Sequence, residues 1–231
     1  MPYQKFDRNK LDIKRLADRK NKVYIERDHI PVNQPPRNLT DSGIQLIDRT
    51  VARIKKAREL NRSVMLAFGA HTIKNGMGPT LIALMKEGWV THLATNGAGI
   101  IHDWEFAFQG KSSEDVRENV NLGQFGIWDD TDFFINLALV VGAYEGLGYG
   151  ESVGKMVHRE GLDIPATSFL YDFARNKMET EPGKAAAAID LAGVINHFKL
   201  PPGFMEIPHP YKKYSVQGSA YALQIPFTSH P

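Results

Sequence analysis

A chain of 231 residues that is 42% hydrophobic and 23% charged has the balance of an ordinary globular protein, which excludes the disordered, collagenous and low-complexity classes. It can bury roughly three quarters of the surface its unfolded chain exposes, so a core needs no disulfide or structural metal; the absence of cysteine also rules out a zinc knuckle and a cysteine nucleophile. A formal charge of +2 is too small to argue for nucleic acid, no apolar run approaches the ~20 residues a bilayer requires, and the polar start MPYQKFDRNK is no signal peptide, so the expectation is a cytoplasmic protein with neither a membrane nor a nucleic-acid partner.

Residues 1–40 read as a polar N-terminal extension, with the basic stretch RNKLDIKRLADRKNK as a solvated face. The extension ends in IPVNQPPRNLTDSG, where Pro35 and Pro36 block helix and Thr40 or Asp41 can cap the next element. Ile44, Ile47, Val51 and Ile54 then recur at helical spacing, which predicts a helix over about 42–60 with one buried stripe. The short apolar run SVMLAFGA (63–70) reads as a buried strand. GPTLIALMKEG carries proline near its first turn and glycine at its end, the punctuation of a helix over about 78–87, and WVTHLAT makes a second strand. Strand, helix and strand in about 33 residues form a βαβ unit, hence parallel strands joined by a right-handed crossover.

Between Gly110 and Asp130, SSEDVREN suits a helix start and LGQFGIWDD a loop. From Thr131, TDFFINLALVVGAYEGLG predicts a long apolar helix packed on the sheet. Further helices are expected at 164–176 and 184–198, the latter built on KAAAAIDLAGVINHF, then across KYSVQGSAYALQ, before the β-rich run IPFTS. The expected fold over 41–231 is therefore α/β, a mostly parallel sheet with helices on both faces.

Ligands of open parallel sheets bind beyond the carboxyl ends of the strands. FGAHTIKNG and TNGAGIIHD follow the two predicted strands, so Ala70, His71 and Thr72 are expected near Asn96 through Asp103. The small residues Gly97, Ala98 and Gly99 would let backbone N–H groups at a helix start approach an anion, although His102 stands where a dinucleotide fingerprint wants its third glycine. Asp103 would sit in the first turns of that helix, suited to a cationic or hydroxyl-bearing ligand. His102, Asp103 and Glu105 do not argue for a metal, because neighbours in sequence point to different helix faces and no second histidine follows at i+4. GLGYGESVGK fails as a P-loop, with Tyr149 in place of the first glycine and Met156 after the lysine. No G-x-S-x-G is present, and His92, His158, His197, His209 and His230 read as structural.

The segment LAFGAHTIKNGMGPTLIALMKEGWVTHLATNGAGIIHDWEFAFQG resembles the N-terminal half of the nucleotide-binding core of deoxyhypusine synthase and its bacterial relatives, including homospermidine synthase-like proteins. Thr95, Asn96, Gly97, Ala98, Gly99, His102 and Asp103 fall on the family pattern, and IPFTSHP resembles a later family strand; the resemblance spans about 60–130. It implies a Rossmann-like NAD-binding fold and an NAD-dependent transfer of an aminobutyl group from spermidine, held as an imine on an enzyme lysine, to an amine acceptor such as a protein lysine. Lysine suits that step because a desolvated amine is neutral and nucleophilic near neutral pH. Ala70, His71, Thr72, Asn96, Gly97, Ala98 and Gly99 would contact NAD, His102 and Asp103 would face the polyamine, and the protein would be a homotetramer. No lysine here stands in the family's lysine context, so no catalytic residue is assigned. A truncated chain is expected, since ending after an apolar β-rich run leaves a sheet edge without its continuation. The alternative is a non-catalytic nucleotide- or small-ligand-binding protein of the same fold.

Overall fold

The structure, a computed structural model, describes residues 3–5, 7 and 10–230. In chain order it contains β1 (Asn21–Tyr24), α1 (Ile25–Asp28), α2 (Asp41–Glu59), β2 (Met65–Ala67), α3 (Ala70–Lys74), α4 (Gly78–Lys86), β3 (His92–Asn96), α5 (Gly97–Gln109), β4 (Lys111–Glu114), α6 (Val116–Asn121), α7 (Asp129–Glu145), α8 (Tyr149–Arg159), β5 (Gly161–Ile164), α9 (Thr167–Lys177), α10 (Pro182–Phe198), β6 (Gly203–Glu206), α11 (Val216–Ala222) and β7 (Phe227–His230).

The expected large, mostly parallel sheet is corrected. Among the described residues the parallel sheet has three strands, in the order β2-β3-β7, while β1 with β4 and β5 with β6 form separate two-stranded antiparallel sheets. The chain between β3 and β7 is spent mainly on helices α5 to α11. The antiparallel strands β1 and β4, NKVY and KSSE, are too polar for burial on both faces, as a parallel sheet's interior requires.

Helices on both faces are corrected as well. Register pairs Met65 with His92 and Ala67 with Ala94 on one face, and Leu66 with Leu93 on the other, where Phe227 joins them. Leu93, Thr95 and Phe227 are buried, whereas Met65 is 61% exposed and Ala67 is open to solvent. One face of the sheet is therefore packed and the other is not. The helix α2 forms where predicted, with Thr40 as N-cap accepting from the Gly43 N–H at 3.2 Å. Its stripe, however, is not buried: Ile44, Ile47 and Val51 are 43–45% exposed, and no residue of the helix is buried. Periodicity specifies which face is apolar, not whether a surface exists to receive it.

The core lies on the packed side, around α5. That helix buries Ile100, Trp104, Phe106 and Ala107 and packs against α3, α8 and α11. Trp104 stacks on Phe108 at 4.7 Å between ring centroids, and the buried His209 meets both edge-on. The helix ends at Gly110, whose φ of +71° and a would-be Cβ only 2.7 Å from the Tyr211 ring leave no room for another residue. The segment from Leu16 to Asp28 belongs to the same body: Leu16 and Ile25 are buried, and the Leu16 N–H donates to Asp129 Oδ1 at 2.8 Å. Among the described residues no single helix is long and apolar enough to cross a membrane. The pair α7 and α8 passes that test only jointly, is bent by 107° at its junction, and buries Ile135, Val141, Val153 and Val157 in the core.

Candidate functional site

The carboxyl ends of β2 and β3 lie side by side, and α3 and α5 start within three residues of them and pack together. This brings Ala70, His71 and Thr72 to the same edge as Asn96, Gly97, Ala98 and Gly99, with His230 of β7 in register with Asn96. The small residues divide two tasks. Asn96 caps α5, its Oδ1 accepting the Gly99 N–H at 3.0 Å. Gly99 lets the helix start against its own strand: a Cβ there would lie 2.3 Å from Thr95 Oγ1, which is itself tied to the Phe68 carbonyl at 2.8 Å. At Gly97 and Gly69 a Cβ would meet nothing closer than 3.7 Å. Among the described residues the N–H groups of Gly97 and Ala98 have no partner. An open helix N-terminus of this kind suits an anion such as a cofactor phosphate.

Next to this edge lies a cavity of about 320 Å³. The spacing of α5 puts Ala98, Ile101, His102 and Glu105 on the face that lines it, with Lys74 of α3 alongside. Arg19 and Trp128 close another side, the guanidinium 5.5 Å from the ring centroid. Ser113 and Glu114 of β4 complete the polar wall, Ser113 in the left-handed region at φ +69°. Glu114 Oε1 accepts from the Gly126 N–H at 3.1 Å and from Trp128 Nε1 at 3.0 Å. Its Oε2 and Ser113 Oγ are buried without a partner among the described residues.

Glu105 is the hub of the cavity wall. Its Oε1 accepts from Arg19 Nη1 at 2.8 Å and from Thr131 Oγ1 at 3.1 Å; its Oε2 accepts from Arg19 Nη2 and from Ser112 Oγ, both at 2.5 Å. Arg19 and Glu105 side chains are only 4% and 1% exposed, so the pair is closed off from water. Ser112 Oγ lies 2.6 Å from His102 Nδ1. Burial is the main reason the His102 imidazole is pushed down to about 4; Lys74, Arg19 and His71 add to the shift, and Glu105 opposes it.

Asp103, expected beside His102 facing a substrate, points elsewhere. One position along α5 turns the side chain by about 100°, and Asp103 is buried under α11. Its Oδ2 accepts from Ser215 Oγ at 2.7 Å and the Gln217 N–H at 3.2 Å, and its Oδ1 from the Val216 N–H at 2.8 Å. Burial pushes its carboxyl up to about 6, against the pull of these hydrogen bonds. These three bonds hold the start of α11, and Asp103 is not among the residues that line the cavity.

Sequence reasoning missed Arg19, Lys74, Ser112, Ser113, Glu114 and Trp128. The i, i+4, i+7 spacing of Ala98, His102 and Glu105 was the available signal for Glu105. Arg19 carried none, since it lies in a basic stretch 86 residues before its partner. No protein-family model and no curated protein matches the chain.

Proposed function

We propose that the protein is an NAD-dependent transferase of the deoxyhypusine synthase type, moving an aminobutyl group from spermidine to an amine acceptor. The observation that carries this reading is the cavity itself. It adjoins the glycine-bearing strand ends and presents two buried acceptors without partners, Glu114 Oε2 and Ser113 Oγ, beside the Trp128 ring. A chain of methylenes ending in ammonium groups matches such a wall, because the carboxylate takes the charged N–H groups and the indole takes the apolar stem. Gly97 and Ala98 would hold the phosphates of NAD through their open N–H groups, with Gly69 leaving space beside them. When bound, NAD supplies the acceptor for the hydride of the amine carbon. The chain's own residues bind and orient the amine and, by burying Arg19, Glu105 and Trp128, limit water in the cavity.

Calorimetric titration of NAD into the wild type and into Gly97→Val, with folding of the variant checked by its thermal midpoint, tests the cofactor half, since a Cβ at Gly97 meets only the Tyr149 hydroxyl at 3.7 Å, an ordinary contact. Wild-type binding weakened about tenfold or more by the substitution is the expected result. Spermidine-dependent NADH formation then separates turnover from simple binding. A folded wild type that takes up no NAD overturns the reading.

A further inference from the structure

We infer that His102 is held as a neutral imidazole of a single tautomer, with Nδ1 protonated and Nε2 offered to the cavity as a hydrogen-bond acceptor, and that Ser112, Glu105 and Arg19 are the positioning residues that fix it. The argument is a count of protons. A carboxylate has about four lone-pair sites, and Glu105 fills them with Arg19 Nη1 and Thr131 on one oxygen and Arg19 Nη2 and Ser112 on the other. No site is left for a proton on Glu105. Ser112 has one hydroxyl proton, and the 2.5 Å bond commits it to Glu105. The 2.6 Å contact to His102 Nδ1 is then a hydrogen bond only if Nδ1 carries the proton and donates it to Ser112 Oγ. In the neutral ring the lone pair falls to Nε2, which makes no hydrogen bond among the described residues, in a side chain lining the cavity.

The consequence is a rule of specificity. With Nε2 as an acceptor, the cavity wall presents His102 Nε2 and Glu114 Oε2 as two acceptors. A ligand must bring N–H or O–H groups to both, and a carboxylate or carbonyl placed at His102 meets lone pair against lone pair. This deepens the amine reading and rests on it only for the ligand; the tautomer stands on the protein's own hydrogen bonds.

The test is a long-range proton–nitrogen correlation spectrum of the protein labelled with nitrogen-15 in its histidines, at neutral pH, with His102 assigned by its loss in His102→Gln. The expected result is a protonated Nδ1 and an unprotonated Nε2. Ser112→Ala should shift the ring toward the other tautomer, and Ser112→Thr, which keeps the hydroxyl, should restore the wild-type pattern. A ring protonated at Nε2, or at both nitrogens, in the wild type overturns the inference, as does Ser112→Ala with an unchanged spectrum. Spermidine is then added. Movement of the Nε2 signal on binding supports the acceptor role, and binding that leaves it unmoved refutes that role. Failure of spermidine to bind counts against the amine reading alone, because the tautomer is read without ligand.

Discussion

The Arg19–Glu105 pair is the sharpest place to test how the site is built. Both side chains are closed to water and joined by two hydrogen bonds of 2.8 and 2.5 Å. Removing one partner strands a buried charge, which costs about 3–5 kcal/mol. Arg19→Met leaves the Glu105 carboxylate with only Ser112 and Thr131 as donors, and Glu105→Leu leaves the guanidinium with Asn21 at 3.0 Å and the Trp128 ring. In a chain of this length each kcal/mol moves the melting midpoint by roughly 2–4 °C, so either single substitution should lower it by about 10 °C. The double substitution removes both charges together and fills the space with apolar side chains. Two hydroxyls, Ser112 and Thr131, then lose an acceptor, at about 1 kcal/mol each. The double variant should therefore lie within about 2 kcal/mol of wild type and be more stable than either single one. Urea unfolding of all four proteins, with unchanged m-values, gives the coupling energy, expected from these costs at about 4 kcal/mol or more. Single variants that each cost under about 1 kcal/mol and simply add would refute the buried-pair argument.

Acid stability should report the buried His209. Burial pushes its imidazole down to about 4 from 6.5, so its contribution is fully present above 6.5 and is lost as the pH falls through 4. Replacing it by His209→Phe, which fits the surrounding rings, should change the slope of unfolding free energy against pH by about 1.4 kcal/mol per unit between 4 and 6.5. Parallel curves for the two proteins would refute this. Asp103 works in the opposite sense: with its carboxyl raised to about 6 from 3.8, its contribution is present below 3.8 and lost as the pH rises through 6. In Asp103→Ala the penalty of burying that charge disappears but three buried donors lose their acceptor, at about 1–3 kcal/mol each. The variant should thus lose more stability at pH 4 than at pH 7, as read by urea midpoints at both. Gly99→Ala should cost about 1–3 kcal/mol because its Cβ overlaps a Thr95 hydroxyl already held by Phe68. Gly97→Ala brings its Cβ only to an ordinary contact with the Tyr149 hydroxyl at 3.7 Å and should leave the thermal midpoint within a few degrees of wild type; equal losses at both positions would sink the close-packing account.

How much was legible beforehand depends on the distance between cause and effect along the chain. Helix α4 reads directly from Pro79 in its first turn and glycine after its end, α2 from the Thr40 cap and its apolar spacing, and β3 followed by the start of α5 from an apolar run closing in Asn96 and small residues. Each of these signals acts within about one turn of the residues it shapes. The convergence of Ala70–Thr72 with Asn96–Gly99 was also available, since adjacent parallel strands put their following loops on one edge. Tertiary structure alone decided the rest. It left the α2 stripe and one face of the sheet open, spent the chain between α5 and β7 mainly on helices rather than further parallel strands, and turned Asp103 to α11 while His102 faced the cavity. It also delivered Arg19 to Glu105. The reason is physical: periodicity and capping are local properties of the backbone, whereas a buried charge pair or a covered sheet face exists only when a distant segment brings the partner, and local pattern does not encode which segment that is.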